Sequence, residues 1–143
     1  MVSELSEQIA LVRELRKRKI VFCSVPNGGL RKKGEAVRLK MSGVEKGVPD
    51  LLIFDPPPNE MEKSGVALEL KIKGNKLSKD QEKWLELLEA RGWVALVCYG
   101  ASEALGKLRE LGYEVLDEGQ IYQHRSKAGL SGGSDSPGPD SDG

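Results

Sequence analysis

Two short apolar runs, each associated with an acidic residue, limit most strongly what this chain can fold into. The first lies in residues 47–54 and the second in residues 66–72, and both are bounded by turn-forming residues, as strands usually are. In the second run the apolar residues at even positions share one face, whereas Ala67, Glu69 and Lys71 share the other. The alternation predicts a strand with a carboxylate and an ammonium group on the same side.

A hairpin pairing of these two strands would bring Asp50 beside Glu69. Two carboxylates and the ammonium group of Lys71 would then meet at one edge of the sheet. Carboxylate oxygens suit Mg²⁺ or Mn²⁺, which are held by few protein ligands and keep several waters. A lysine beside such an ion can hold or deprotonate a water, or stabilise developing negative charge. Charged residues at alternate strand positions usually form a solvated sheet face, and Gly-Val-Pro-Asp alone could be a turn that leads into a strand, so both interpretations stand at this point.

The rest of the pattern predicts helices and further strands around this pair, and hence an α/β fold. Ser3 is a candidate N-cap for the first helix, and Ser102 a possible cap for the last one. Gln81 completes a capping box with Ser78, and its amide could instead lie near a metal-bound water or the scissile phosphate. We expect helices at residues 4–18, 34–42, 79–91 and 101–111, and strands at residues 20–25, 93–99 and 113–116.

The charge balance excludes a generally basic nucleic-acid binder, because the formal net charge is zero. The charges are nevertheless uneven. Residues 1–50 carry eleven Lys and Arg against six Asp and Glu, whereas residues 51–124 carry nine against thirteen. A basic N-terminal third beside an acidic site is compatible with binding of a phosphate backbone, and also with ordinary surface variation.

The two cysteines, Cys23 and Cys98, lie in apolar strand-like runs, which predicts buried free thiols in a reducing compartment. The single histidine, His124, does not favour a histidine-ligated zinc site.

No apolar run is longer than a strand, so we expect a soluble cytoplasmic protein without a signal peptide or membrane span. We expect one folded domain over residues 1–124 and a disordered tail over 125–143, rich in Ser, Gly, Pro and Asp.

The order of elements, together with Pro49-Asp50 and Glu69-Leu70-Lys71, resembles the PD-(D/E)xK nuclease superfamily. Further stretches resemble one branch, the stand-alone VRR-NUC domains common in phages and bacteria. This resemblance runs from residue 4 to about residue 111. The matching stretches are Glu4 with Gln8, Pro26-Asn27-Gly28-Gly29, Arg38-Leu39-Lys40, Gly47-Val48-Pro49-Asp50, Glu69-Leu70-Lys71, and Leu77-Ser78 with Gln81.

The resemblance implies a restriction-endonuclease-like core, a mixed central sheet flanked by helices. It implies that Asp50 and Glu69 bind Mg²⁺ or Mn²⁺, helped by the backbone carbonyl of Leu70. Lys71 would orient or activate the attacking water, and Gln81 would assist at the site.

The same resemblance implies that Glu4 completes the acidic cluster, with Glu7 a less favoured substitute. Relatives often carry an aromatic residue on the first helix where this chain has Glu14. Because of that difference, the resemblance does not specify how the first helix packs or whether it makes dimer contacts. The implied metal-binding and catalytic residues are not affected.

The stand-alone group also resembles Holliday-junction resolvases, which act as homodimers on four-way junctions. The resemblance therefore implies a metal-dependent endonuclease for branched DNA, working in the cytoplasm of a bacterial host if the chain is phage-encoded. A flap, nicking or restriction-type nuclease, or a non-catalytic module that binds branched DNA, is the alternative. The candidates for DNA contact are Arg31, Lys32, Lys33, Arg38 and Lys40.

Overall fold

A four-stranded mixed sheet with helices packed against it forms the body of the protein. The computed structural model describes residues 2–26 and 33–116, with only the backbone of Lys33. The elements follow the predicted order, with bounds that differ by a few residues. They are α1 (Glu4–Lys17), β1 (Phe22–Ser24), α2 (Lys33–Met41), β2 (Leu51–Ile53), β3 (Val66–Lys71), α3 (Lys79–Ala90), β4 (Val94–Tyr99) and α4 (Ala101–Glu110).

The sheet order is β1-β2-β3-β4, and the predicted hairpin of β2 and β3 is confirmed. β1 pairs with β2, and β2 with β3, in antiparallel orientation, whereas β3 and β4 run parallel to each other. The β2–β3 ladder ends at the pair Leu51–Leu68, so Glu69 and Lys71 extend past β2. They remain paired with β4 on their other side. β3 is thus an interior strand of the described sheet, but at Glu69 and Lys71 it has a neighbouring strand only on the β4 side.

Local sequence sets where the helices begin. Ser3 caps α1 and Ser78 caps α3, and both form capping boxes. α4 is different, because its N-cap is Gly100, at φ +100°, and no side-chain hydrogen bond comes from that position. Instead the Ala101 N–H donates to Glu7 Oε1 at 2.7 Å, so α1 provides the cap of α4. The prediction of Ser102 as the cap was wrong for this reason.

The core lies between the sheet and the pair α1 and α4. Apolar side chains on the even-numbered positions of β3 face these two helices, and burying them is the main favourable term in folding. α3 contacts β3 and β4, and its Gln81 bonds to Glu69, an odd-numbered position. The hydrophobic core is formed by these buried residues: Leu11, Leu15, Leu51, Ile53, Val66, Leu68, Leu70, Cys98, Ala101, Ala104, Leu105, Leu108, Tyr113 and Val115.

The segment after α4 packs on the core without joining the sheet. The predicted last strand over residues 113–116 is absent from this described segment. Side chains hold the segment instead: the Tyr113 hydroxyl donates to the Asp55 carbonyl at 2.6 Å, and the Leu116 N–H donates to Glu14 Oε2 at 2.8 Å. Glu14 is buried and also accepts from Arg18 Nε at 2.8 Å. Glu14 therefore links α1 to the end of the fold.

The two cysteines have different surroundings, and both are free. Cys98 is buried, as predicted, and burial raises the pKa of its thiol to about 11. Cys23 is exposed, so the prediction that it is buried was wrong. It belongs to β1, which pairs with β2 on one side and lies at the end of the sheet.

Several predictions concern residues outside the described part of the chain. These include Asn27, Gly28 and Gly29 of the turn after β1, Arg31 and Lys32, His124, and the tail over 125–143. None of the described helices is long and apolar enough to cross a membrane.

Candidate active site

Asp50 lies where the chain enters β2, in the loop that contains Gly47 and the buried Pro49. Its Oδ2 accepts the backbone N–H of Leu70 at 2.7 Å. Its own carbonyl accepts the Val25 N–H at 2.9 Å. Asp50 is thus held from both sides, by β3 and by the chain after β1.

Glu69 lies next to Leu70 on β3 and is only 2% exposed. Its Oε2 accepts a hydrogen bond from Gln81 Nε2 at 3.1 Å. Its other oxygen, Oε1, is buried and has no N–H or hydroxyl donor among the described residues. The Asp50 carboxyl group lies within hydrogen-bonding reach of Glu69, a bond that requires a proton on one of the two acids. An unpaired buried carboxylate oxygen costs free energy, and such cases in native proteins call for an explanation such as a missing ion.

The environment of this pair raises the pKa of both acids. Burial raises the pKa of Glu69 to about 8, and the neighbouring Asp50 adds to the shift. Burial also raises the pKa of Asp50, although the hydrogen bond from Leu70 lowers it. Like charges in a poorly hydrated place cannot both ionise cheaply. Either a proton or a cation is needed to keep these two carboxyl groups together.

Lys71 shares the face of Glu69 and is 8% exposed. Its positive charge lowers the pKa of both Asp50 and Glu69, which shows that it acts on the pair electrostatically. The interpretation of Glu69 and Lys71 as a solvated sheet face was wrong, because all six residues of β3 are buried.

Gln81 closes the predicted capping box and also contacts Glu69, whereas its role near a metal-bound water or the scissile phosphate stays a prediction. Its Oε1 accepts the Ser78 N–H at 2.9 Å, which closes the capping box of α3. Its Nε2 donates to Glu69 Oε2. The start of α3 and the carboxylate of β3 are therefore fixed to each other.

The two glutamates in the first turn of α1, Glu4 and Glu7, have separate partners. Glu4 Oε2 accepts a hydrogen bond from Asn75 Nδ2 at 2.8 Å, and the charge of Glu4 raises the pKa of Asp50 and Glu69. Glu7 is already used by the start of α4. Of the two, Glu4 is the one whose charge reaches the acidic pair.

The donor set at this position fits a hydrated divalent cation. Asp50 and Glu69 offer hard oxygen ligands, and Glu69 Oε1 lacks a donor of its own. Among residues 2–26 and 33–116, no three Asp, Glu, Cys or His side chains stand close enough to hold an ion together. The side chains thus supply two ligands, with the Leu70 carbonyl the predicted third, and the direct ligation by Glu4 stays a prediction. Mg²⁺ typically binds through one or two carboxylates and keeps several waters.

Comparisons with known proteins show the family and the fold of this chain. The model of the VRR-NUC domain family matches residues 2–102. This chain belongs to the VRR-NUC domain family. A solved structure named VRR_NUC domain protein shares the fold, with a TM-score of 0.61 and 22% sequence identity. The similarity covers 78% of this chain and 89% of that one. A comparison with curated proteins found no match.

Membership in the VRR-NUC family makes this a nuclease-type domain, with DNA as its class of substrate. The mixed sheet and its helices are consistent with a PD-(D/E)xK-like core. The roles of individual residues in this VRR-NUC domain remain predictions from the pattern.

The candidate DNA-contacting residues are only partly within the described chain. Arg38 and Lys40 lie on α2, where both are exposed, and Lys40 stands 3.9 Å from Glu45. The side chain of Lys33 and all of Arg31 and Lys32 lie outside the described structure. An exposed basic helix is compatible with phosphate contacts in a VRR-NUC domain, and these contacts stay a prediction.

Sequence reasoning missed one residue at this site, Asn75. The run Gly74-Asn75-Lys76 lacks the pattern of a phosphate-binding loop, and nothing local marks its contact with Glu4. The two residues are 71 positions apart, so only the folded chain brings them together.

Proposed function

We propose that this VRR-NUC domain is an Mg²⁺- or Mn²⁺-dependent endonuclease that hydrolyses phosphodiester bonds in branched DNA, with the four-way junction as its substrate. The observation that supports this most is the buried carboxyl group of Glu69 beside Asp50, whose Oε1 has no N–H or hydroxyl donor among the described residues. A protein that only binds DNA has no use for two carboxylates gathered where negatively charged phosphates must approach.

Each residue of the site has a separate proposed role. Asp50, Glu69 and the Leu70 carbonyl would hold the metal ion, and Gln81 keeps Glu69 oriented through its amide. When bound, the ion would act as a Lewis acid on the phosphoryl oxygen and lower the pKa of a water. Lys71 would orient the attacking water and offset the negative charge of the transition state.

The direct test is cleavage of labelled DNA by the full chain. Four-way junction, flap, nicked and linear duplex substrates are incubated with Mg²⁺, Mn²⁺ or EDTA. We expect metal-dependent cleavage that is fastest on the junction. Asp50→Asn and Lys71→Met should each lower the rate by about a hundredfold or more. The matched controls are Glu86→Gln and Lys83→Met, which change exposed residues of α3 and should leave the rate unchanged.

Each other outcome of this assay has a definite meaning. Preference for flap, nicked or linear DNA would replace the junction by that substrate class. Cleavage that survives in Asp50→Asn or Lys71→Met would contradict the assignment of the site. Tight junction binding without cleavage in any divalent metal would favour the non-catalytic binding module.

We also propose that the protein acts as a homodimer, since a four-way junction presents pairs of equivalent strands. A groove between α1 and β1, with a volume of about 780 Å³, supports this, because several apolar side chains are exposed in its mixed polar and apolar lining. Leu5, Ile9 and Val21 in the groove are 67%, 50% and 57% exposed. We further propose that it works in the cytoplasm. Two free thiols and no disulfide between Cys23 and Cys98 suit a reducing compartment.

A further inference from the structure

The turn between β3 and α3 lies beside the candidate active site and has no assigned role. It contains Gly74, at φ +97°, a backbone conformation that glycine adopts without strain. The Asn75 N–H donates to the Ile72 carbonyl at 3.1 Å, which closes the turn. Asn75 itself is exposed, so its side chain is not needed to fill the core.

Asn75 joins three separate parts of the fold. Its Nδ2 donates to Glu4 Oε2, in the first turn of α1, at 2.8 Å. Its carbonyl accepts the hydroxyl of Tyr99, the last residue of β4, at 3.4 Å. Tyr99 pairs with Lys71 in the sheet register, so these contacts lie at the end of β3 that carries the acidic pair.

The Glu4 carboxylate needs such a hydrogen-bond partner to keep a fixed position relative to Asp50 and Glu69. It is the first residue of α1, only half-buried, and its long side chain has several rotamers to choose from. A hydrogen bond to an ionised acceptor is among the stronger single contacts in proteins. The amide of Asn75 therefore limits where the negative charge of Glu4 stands relative to Asp50 and Glu69.

We propose that Asn75 is a positioning residue, whose amide holds the Glu4 carboxylate in place so that Glu4 adds to the attraction of the Asp50–Glu69 pair for a divalent cation. The inference rests on the proposed function, because this placement matters only where the carboxylates hold a metal ion. It makes Asn75 act through Glu4 and not on the DNA.

The test is a double-mutant cycle on the full chain, read by thermal unfolding during titration with Mg²⁺ and Mn²⁺. The variants are Asn75→Ala, Glu4→Ala and the two combined. The control is Asn59→Ala, because the Asn59 side chain makes a comparable bond to the Glu110 carbonyl at 3.0 Å. The metal concentration for half-maximal cleavage of the junction is a second readout.

We expect Asn75→Ala to raise the metal concentration for half-maximal stabilisation by about fivefold. This factor corresponds to the free energy of one hydrogen bond, the bond that holds Glu4 in place. Glu4→Ala should raise it at least as much, and the double variant no more than Glu4→Ala alone, because coupled residues are not additive. Asn59→Ala should lower the metal-free melting temperature without changing the metal response.

Three results would overturn the inference. Additive effects of the two substitutions would show that Asn75 does not act through Glu4. An unchanged metal response in Asn75→Ala, while Asp50→Asn abolishes it, would overturn the role of Asn75 and leave the proposed function intact. No metal response in the wild-type protein would contradict the proposed function and this inference together.

Discussion

Glu69 is a single residue whose position in the candidate active site lowers the stability of the folded protein. Its side chain is almost fully buried, one oxygen lacks a donor among the described residues, and a second carboxyl group lies beside it. A core residue chosen for stability alone would not carry a charge there, because an unpaired buried charge is expensive. The arrangement becomes favourable when a cation binds.

The raised pKa of Glu69 predicts how the metal-free protein responds to pH. In EDTA, the folded state holds the proton up to about pH 8, whereas the unfolded chain releases it near the ordinary value of 4.5. This stabilising contribution is therefore complete below about pH 4.5 and is lost as the pH rises through about 8. Glu69→Gln should remove the part of this dependence that comes from Glu69 and exceed the wild type in stability by on the order of 2 kcal/mol at pH 8.5.

Urea denaturation in EDTA at pH 5.5, 7 and 8.5 measures this, with Glu86→Gln as the control for loss of a surface charge. Adding Mg²⁺ at pH 8.5 should restore the stability of the wild type and leave Glu69→Gln unchanged. A Glu69→Gln protein that loses stability at every pH would show that the side chain is needed for packing.

At the scale of an element, the loop that leads into β2 is shaped by Gly47. Gly47 has φ +87°, and a Cβ added there would lie 2.6 Å from the carbonyl carbon of Asp80 in α3. Only a glycine lets the loop approach the start of α3 this closely. The contact sets where Asp50, three residues later, enters the sheet.

Gly47→Ala should therefore destabilise the protein by about 2 kcal/mol or more, from backbone strain and from the clash with α3. It should also slow DNA cleavage, because Asp50 moves with the loop. Gly43→Ala separates the two causes: Gly43 has φ +106°, yet a Cβ there would meet nothing within 4 Å. Equal losses in the two variants, measured by urea denaturation, would contradict the role given to the contact with Asp80.

At the scale of the whole molecule, the homodimer proposal needs a surface, and the groove between α1 and β1 provides a candidate. Ile9 is 50% exposed in this groove, on the side of α1 away from the core. Burying several such side chains in an interface is favourable by about 25 cal/mol per Å² of apolar area.

Ile9→Glu should convert the dimer to a monomer without loss of secondary structure, since a charge in an apolar interface is costly. Light scattering coupled to gel filtration gives the mass, and circular dichroism checks the fold. Val37→Glu, an equally exposed position on α2, is the matched control and should remain dimeric. A wild-type protein that is monomeric at micromolar concentration would contradict the dimer proposal.

The sequence by itself determined the elements and the chemistry within each of them. Alternation along residues 66–72 predicted a strand with Glu69 and Lys71 on one face, and the order Ser78 to Gln81 predicted the capping box of α3. These features depend on neighbours a few positions apart, so a single stretch of chain contains them. The longer pattern also predicted the family, which the family model matches.

The tertiary structure alone decided what these residues contact. Asp50 reaches Leu70 across 20 positions, Gln81 reaches Glu69 across 12, and Asn75 reaches Glu4 across 71. Such contacts depend on how the strands pair and which helix covers which face. The sequence predicted the hairpin of β2 and β3, and the resemblance implied Gln81 at the site, but neither specified which atoms meet. The same packing buried Glu69 and Lys71, exposed Cys23, assigned Glu7 to the start of α4, and held residues 113–116 without a strand. A residue's chemistry belongs to its type, whereas its burial and partners belong to the fold.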